Sequence, residues 1–188
     1  MKAIRFDRYG PPEVLQLRDV DMPVVGDKDV LVRVRAASVN PLDWHFMRGS
    51  PYLVRMLAGL SRPRVGAARL GADMAGSVEA VGKSVTEFRP GDEVFGGLDD
   101  RGTLAEYLSI REDAAILPKP AGVTFEQAAA VVFFLAHQTK EDLAVLRELL
   151  ETGKITPVID RAYPLSDAAA AISYLEQGHA RGKIVITM

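Results

Sequence analysis

The residues best suited to chemistry lie in one segment, SVNPLDWHFMRG, from Ser38 to Gly49. It sets Asn40, Asp43, Trp44 and Met47 where a strand ends and a short helix begins. Asn40 offers a paired donor and acceptor and Trp44 an apolar platform, which suits a pocket for a flat carbonyl compound. The same residues have a plainer account. Trp44 and Met47 would then pack in the core, Asn40 would cap the helix, and Asp43 would stabilise its first turn. Pattern alone leaves both open.

Other chemistries find little support. With no cysteine, disulfides, thiolate metal sites and a thiol nucleophile are excluded. His45, His137 and His179 stand alone in different elements, so no metal site is expected. His45 either lines a cleft or sits on the surface. No serine lies in a GxSxG setting. Gly76 and Gly82, followed by Lys83 and Ser84, resemble a phosphate loop, but five residues separate the glycines where that motif needs four. The intervening SVEAV reads as a strand. There is no GxGxxG, and no glycine at all between Gly122 and Gly153, so the close backbone approach that a dinucleotide pyrophosphate requires is not provided.

The elements that must position the segment are mostly short strands. Residues 2–8 and 14–20 read as a hairpin around Gly10-Pro11-Pro12. Asp29–Val39 is the clearest strand, with Val30, Val32 and Val34 facing one way and Leu31, Arg33 and Arg35 the other. Pro41 and Gly49 bracket a short helix, and Pro51–Leu60 suggests another. Two strands joined by glycine turns occupy Leu70–Gly96, and Thr103–Ile110 and Ala114–Leu117 are further strands. This pattern predicts a compact β-barrel rather than a parallel sheet. Thr124 and Gln127 form a capping box for a helix, yet Val131-Val132-Phe133-Phe134-Leu135 turns β-branched and aromatic, a local conflict. Helices follow over Thr139–Thr152 and from a Ser166 cap to Gly178, with Ala169, Ile172 and Leu175 inward, and Lys183–Thr187 closes as a strand.

The 188 residues are 48% hydrophobic and 26% charged, enough for one domain with its own core. A net charge of -2 with both signs interspersed predicts neither nucleic acid nor a membrane as partner. The chain enters a strand pattern at once, without the apolar run of a signal peptide, and a cytoplasmic location is expected.

Several segments, in order, resemble the medium-chain dehydrogenase/reductase superfamily, in its zinc-independent quinone oxidoreductase branch. They are MKAIRFDRYGPPEVL, VLVRVRAASVNPLDWHFMRG, LGADMAGSVEAVGKSVTEFRPGDEVFG, GTLAEY, the KP…TFEQAAA junction and ITPVIDRAYPLSDAAAAISYLEQGHARGKIVIT, and they span nearly the whole chain. The resemblance implies a mainly β fold with helices, a GroES-like partly open β-barrel. It implies hydride transfer from NADPH to a quinone or an activated carbon–carbon double bond. It places Asn40 near nicotinamide and substrate, with Asp43 and Trp44 as further cleft residues. Asp43 is then a second catalytic candidate and Trp44 a substrate contact, and Met47 joins Trp44 on the pattern of the segment itself. Arg181 and Lys183 become the remaining cofactor contacts. Zinc enzymes of the superfamily hold cysteine and histidine ligands at the positions of Asn40 and Ala72, so no zinc is expected here.

Family members insert a Rossmann domain of about 130–150 residues between the AAA junction and the C-terminal return. Here residues 1–131 run almost directly into residues 132–188. A single domain built from both family segments is expected, with its seam near 131–133. Without the inserted domain, NADPH binding should weaken by roughly 10³-fold or more, leaving little or no reductase activity in this chain alone. Two alternatives are a non-enzymatic module that binds a small molecule or a protein, and a cofactor domain supplied in trans. The apolar run near Val131–Leu135 would favour self-association.

Overall fold

The computed structural model describes residues 1–64, 68–97, 102–131 and 139–188. The predicted hairpin is present: β1 (Lys2–Arg5) pairs antiparallel with β2 (Gln16–Asp19), with a 3-10 turn at Pro12–Val14 between them. The central strand β3 runs over Asp29–Val39, as its alternation predicts: Val30, Val32 and Val34 are buried while Arg33 and Arg35 are exposed. Helix α1 (Pro41–Arg48) follows at once. Pro41 takes the first helical position and Gly49, at φ 61°, ends the helix in the left-handed region that favours glycine. Helix α2 (Tyr52–Ala58) comes next, then strands β4 (Asp73–Val81) and β5 (Glu93–Gly97).

Strand β6 covers Tyr107–Arg111, starting later than its sequence suggests. The residues before it bond to β1 instead: Ile4 N–H donates to the Leu104 carbonyl at 2.9 Å, and Glu106 N–H to the Lys2 carbonyl at 3.0 Å. Strand β7 is Ile116–Pro118, because Ala114 is taken up in a turn back to Arg111. Helix α3 (Phe125–Val131) opens with the predicted capping box. Thr124 N–H donates to Gln127 Oε1 (3.0 Å), and Gln127 N–H donates to Thr124 Oγ1 (3.2 Å). The rest of the Val131–Leu135 conflict, His137 and the predicted seam beyond Val131 lie outside the described residues.

Helix α4 (Lys140–Glu151) is capped by Thr139, whose hydroxyl accepts from Asp142 N–H. Strand β8 (Ile159–Pro164) has no counterpart in the sequence reading. Helix α5 spans Ala168–Glu176 behind a 3-10 turn at Leu165–Asp167, so Asp167 and not Ser166 stands at its start. The Ser166 hydroxyl donates to the Asp167 carboxylate instead. Strand β9 (Lys183–Thr187) closes the described chain as predicted.

Among the described residues seven strands form one sheet around β3. β4 pairs along one edge of β3, and β6 and β9 share the other, β6 against Asp29–Arg33 and β9 against Ala36–Val39. β5 and β7 continue beyond β4, and β8 runs parallel to β9. Among the described residues the sheet stays open, with β7 and β8 at its ends, and parallel pairing is confined to β8 and β9.

Two apolar clusters pack against this frame. The larger joins β-strand residues such as Val32 and Ile186 to Phe46 and Met47 of α1 and to Ile172 of α5. The smaller brings Ala128, Ala129 and Ala130 of α3 onto Ala36, Ala75 and Val185. Small side chains on both sides let this helix lie close to the sheet. Arg48 of α1 and Glu176 of α5 pair through Nη2 and Oε2 at 2.8 Å, tying the first helix to the last.

Candidate functional site

Three strand ends meet beside α1. Ser38, near the end of β3, is in register with Asp73 at the start of β4 and with Val185 of β9, and Asp73 is in turn opposite Gly97 of β5. A carboxylate in this position is enclosed on both sides, and Asp73 is fully buried. Its Oδ2 accepts from Ser38 Oγ at 2.8 Å and from Asn40 Nδ2 at 2.8 Å, with Lys183 Nζ at 3.5 Å. Lys183 Nζ also donates to Asn40 Oδ1 at 2.7 Å. The Asn40 carboxamide therefore bridges an anion and a cation, which sets its orientation. Burial pushes the Asp73 carboxyl above its ordinary value, against the opposing pull of Lys183, Asn40 and Ser38. Among the described residues Asp73 Oδ1 has no hydrogen-bond partner.

Asp43 supports the cluster from behind. Its Oδ2 accepts from Asn40 N–H and its Oδ1 from Gly71 N–H, each at 2.8 Å. One carboxylate thus pins the start of α1 to the residue two before Asp73. Asn40 backbone is extended (φ -122°, ψ 157°), the geometry of a residue that enters a helix from a strand.

The other candidates fall in varied places. Trp44 is half-buried against the larger apolar cluster and stacks on His45, with ring centroids 3.7 Å apart. His45 Nδ1 is 2.7 Å from the Ser50 carbonyl. Met47 is wholly enclosed in the core. Arg181 donates its backbone N–H to Asp160 Oδ2 at 3.3 Å, while Lys183 alone of the two joins Asn40. Sequence reasoning passed over Ser38 and Asp73. The available signal was a lone carboxylate inside the apolar run Leu70–Ala75, at the start of a strand.

A family model described as zinc-binding dehydrogenase matches residues 65–186. A quinone oxidoreductase from Sus scrofa is 36% identical over 132 residues, covering 70% of this chain and 37% of its own length. One from Pseudomonas aeruginosa is 36% identical over 146 residues, covering 74% of this chain and 42% of its own. The chain thus spans less than half the length of these curated relatives. The solved quinone oxidoreductase of Coxiella burnetii superposes with a TM-score of 0.85 at 22% identity, covering 100% of this chain and 99% of that one. That likeness establishes the fold, which is sheet-dominated and GroES-like.

The residues present do not fit a catalytic zinc. Asn40 offers a carboxamide already held by an ammonium, Ala72 a methyl group, and the Asp73 carboxylate faces Lys183, whose charge would repel a second cation. Among the described residues no group of three or more histidine, cysteine, aspartate or glutamate side chains is placed to hold a metal. Nor does the one parallel crossover among the described residues make a dinucleotide cradle. The parallel strands β8 and β9 are joined through α5, which opens on Pro164-Leu165-Ser166-Asp167, with no glycine and with an acid where a pyrophosphate would need bare amides. From the family match, the curated relatives and the shared fold together, the chain belongs to the medium-chain dehydrogenase/reductase superfamily, in its quinone oxidoreductase-like branch.

Proposed function

We propose that this chain is the substrate-side, GroES-like domain of an NADPH-dependent quinone or enone oxidoreductase, with little or no reductase activity by itself. The carrying observation is the Asn40–Asp73–Lys183 cluster, to which residues from both ends of the chain contribute. On this reading residues 1–131 and 132–188 form one domain with its seam near 131–133. The hydride of such a reaction is the cofactor's to supply, and the protein contributes orientation and charge. Lys183, whose side chain is 20% exposed, presents positive charge from the cluster, where it would stabilise charge developing on a carbonyl oxygen. Asn40 fixes the ammonium, Asp73 balances it, and Asp43 holds Asn40 in place. Trp44 supplies a flat apolar surface for the substrate. Met47 contributes by packing, and Arg181 by whatever charge it lends near Lys183.

Quinone-dependent NADPH oxidation, with NADPH fluorescence titrated in parallel, tests this. No turnover and no saturable binding at micromolar NADPH are expected from the chain alone, and tight binding would overturn the account. Recovery of turnover on adding a separate nucleotide-binding domain would place the missing half in trans.

A second reading is a non-enzymatic binding module. It is favoured by the apolar side chains of α2 and its flank: Tyr52, Leu53, Met56, Leu57 and Leu60 are each more than 60% exposed. Light scattering after size exclusion separates the two, since a strict monomer at high concentration that captures no ligand counts against such a module.

A further inference from the structure

Beside the β1–β2 hairpin lies a hollow of about 860 Å³ that shares no residue with the Asn40–Asp73–Lys183 cluster. Among the described residues five arginines line it, Arg5, Arg18, Arg62, Arg64 and Arg69, against two carboxylates, Asp7 and Asp19. The chain as a whole carries a net charge of -2, so a local excess of three positive charges (five minus two) is a marked concentration.

Both acids are already committed. Asp7 accepts two hydrogen bonds from the Arg18 guanidinium, and Asp19 pairs with Lys2 at 2.7 Å, a residue outside the lining. Arg5 is half-buried and donates Nη1 to the Ile4 carbonyl at 2.8 Å. Among the described residues Arg5, Arg62, Arg64 and Arg69 have no carboxylate partner. Burial, then the charges of Arg69 and Arg18, lower the pKa of Arg5, so the guanidiniums repel one another across the hollow. A concave wall of one sign concentrates counter-ions, and a bound anion would relieve that repulsion.

We propose that this hollow binds a small phosphorylated ligand, a phosphate ester or a diphosphate, through Arg5, Arg62, Arg64 and Arg69. Guanidinium forks match phosphate oxygens in pairs, and several forks need a ligand with several anionic oxygens, which a single carboxylate lacks. The volume falls in the range of small-molecule pockets. The inference does not rest on the reductase reading and stands even if quinone reduction is never seen.

Inorganic pyrophosphate is the probe. Calorimetric titration of the full chain at low salt should show saturable binding, weakened about 10-fold or more by Arg69→Gln and again by Arg64→Gln. Both arginines are exposed, so the variants should keep the circular dichroism and melting temperature of the parent. A parallel arm offers vesicles containing phosphatidic acid, because a lipid headgroup carries the same phosphate chemistry. Vesicle binding that pyrophosphate fails to compete would overturn a small-ligand site. So would an equal response to sodium chloride at matched ionic strength, or undiminished affinity in the double variant.

Discussion

Lys183 Nζ donates to Asn40 Oδ1 at 2.7 Å although 143 residues separate the two in the chain. The bond forms because β9 pairs with the end of β3, setting Ile184 opposite Val39 and so bringing Lys183 beside Asn40. Asp73 completes the group, with its carboxylate shared between the amide and the ammonium. The cluster couples the two ends of the chain electrostatically, as the Arg48–Glu176 pair does on the helices, beside the sheet pairing and apolar contacts that also join them.

Removing Lys183 should therefore cost stability through Asp73. Lys183→Met leaves a buried carboxylate with neutral donors only, and loss of about 1–3 kcal/mol is expected, less than for a fully enclosed pair because Lys183 is partly exposed. Combining it with Asp73→Asn should recover part of that loss. Urea melts of the four proteins give the coupling energy directly. Additive effects would show that the 3.5 Å contact carries no interaction.

Asp73 also makes a signed prediction about pH. Its folded-state pKa is raised, so between its ordinary value of 3.8 and the raised value the native protein holds a proton that the unfolded chain has released. In that window stability falls as pH rises, and the contribution of protonated Asp73 is fully present only below it. The exposed acids Asp7, Asp19, Glu112 and Asp113 have lowered values and act the other way: their contribution grows as pH rises from the lowered value to the unfolded one, is complete above the latter, and is lost as pH falls through the folded value. The difference between the parent and Asp73→Asn isolates the first effect. Denaturant melts from pH 3.5 to 7 should show the parent losing ground to the variant as pH increases. A constant difference would mean that Asp73 titrates normally.

How much of this was legible in the sequence depends on the range of the interaction. The bounds of β3, the capping box at Thr124 and Gln127, and the Pro41-to-Gly49 helix follow from local patterns, because alternation, fixed φ and helix-end chemistry act within a few residues. Asp73 is different. Its importance comes from Ser38, Asn40 and Lys183, all at least 33 residues away, and the sequence marks it only as a lone carboxylate in an apolar run. β8 was missed for a related reason: IDRAYP has no alternation and is a strand because β9 lies alongside. Asn40 and Lys183 were both singled out, yet only the sheet shows that they touch.

Asp43 supports the site without needing to contact substrate. Asp43→Ala strips acceptors from two backbone amides, those of Asn40 and Gly71, in a place where water has little access. An unsatisfied buried donor costs about 1–3 kcal/mol, so the loss should reach about 2–4 kcal/mol, and Asp43→Asn, which keeps one acceptor oxygen, should lose less. Hydrogen exchange supplies a local readout. The Asn40 and Gly71 amides should exchange faster relative to the β3 core in the variants, and unchanged protection would assign the contacts no weight.

Gly71 tests the same junction from the other side. Its φ of +84° lies where side chains are strained, and a Cβ there would come 2.2 Å from Thr103 Oγ1 and 3.0 Å from the Leu104 amide nitrogen. Threonine could turn its hydroxyl away, but the backbone of Leu104 cannot yield easily, because its N–H donates to the Leu70 carbonyl and its own carbonyl accepts from Ile4. Gly71→Ala should therefore cost about 2–4 kcal/mol, from the strained backbone and the overlap together. Since Gly71 N–H is also an anchor for Asp43, the damage should spread to α1. Gly71→Ala combined with Asp43→Ala should then destabilise by clearly less than the sum of the two, as residues of one network do. Full additivity in urea melts would show that the turn and the helix start are independent.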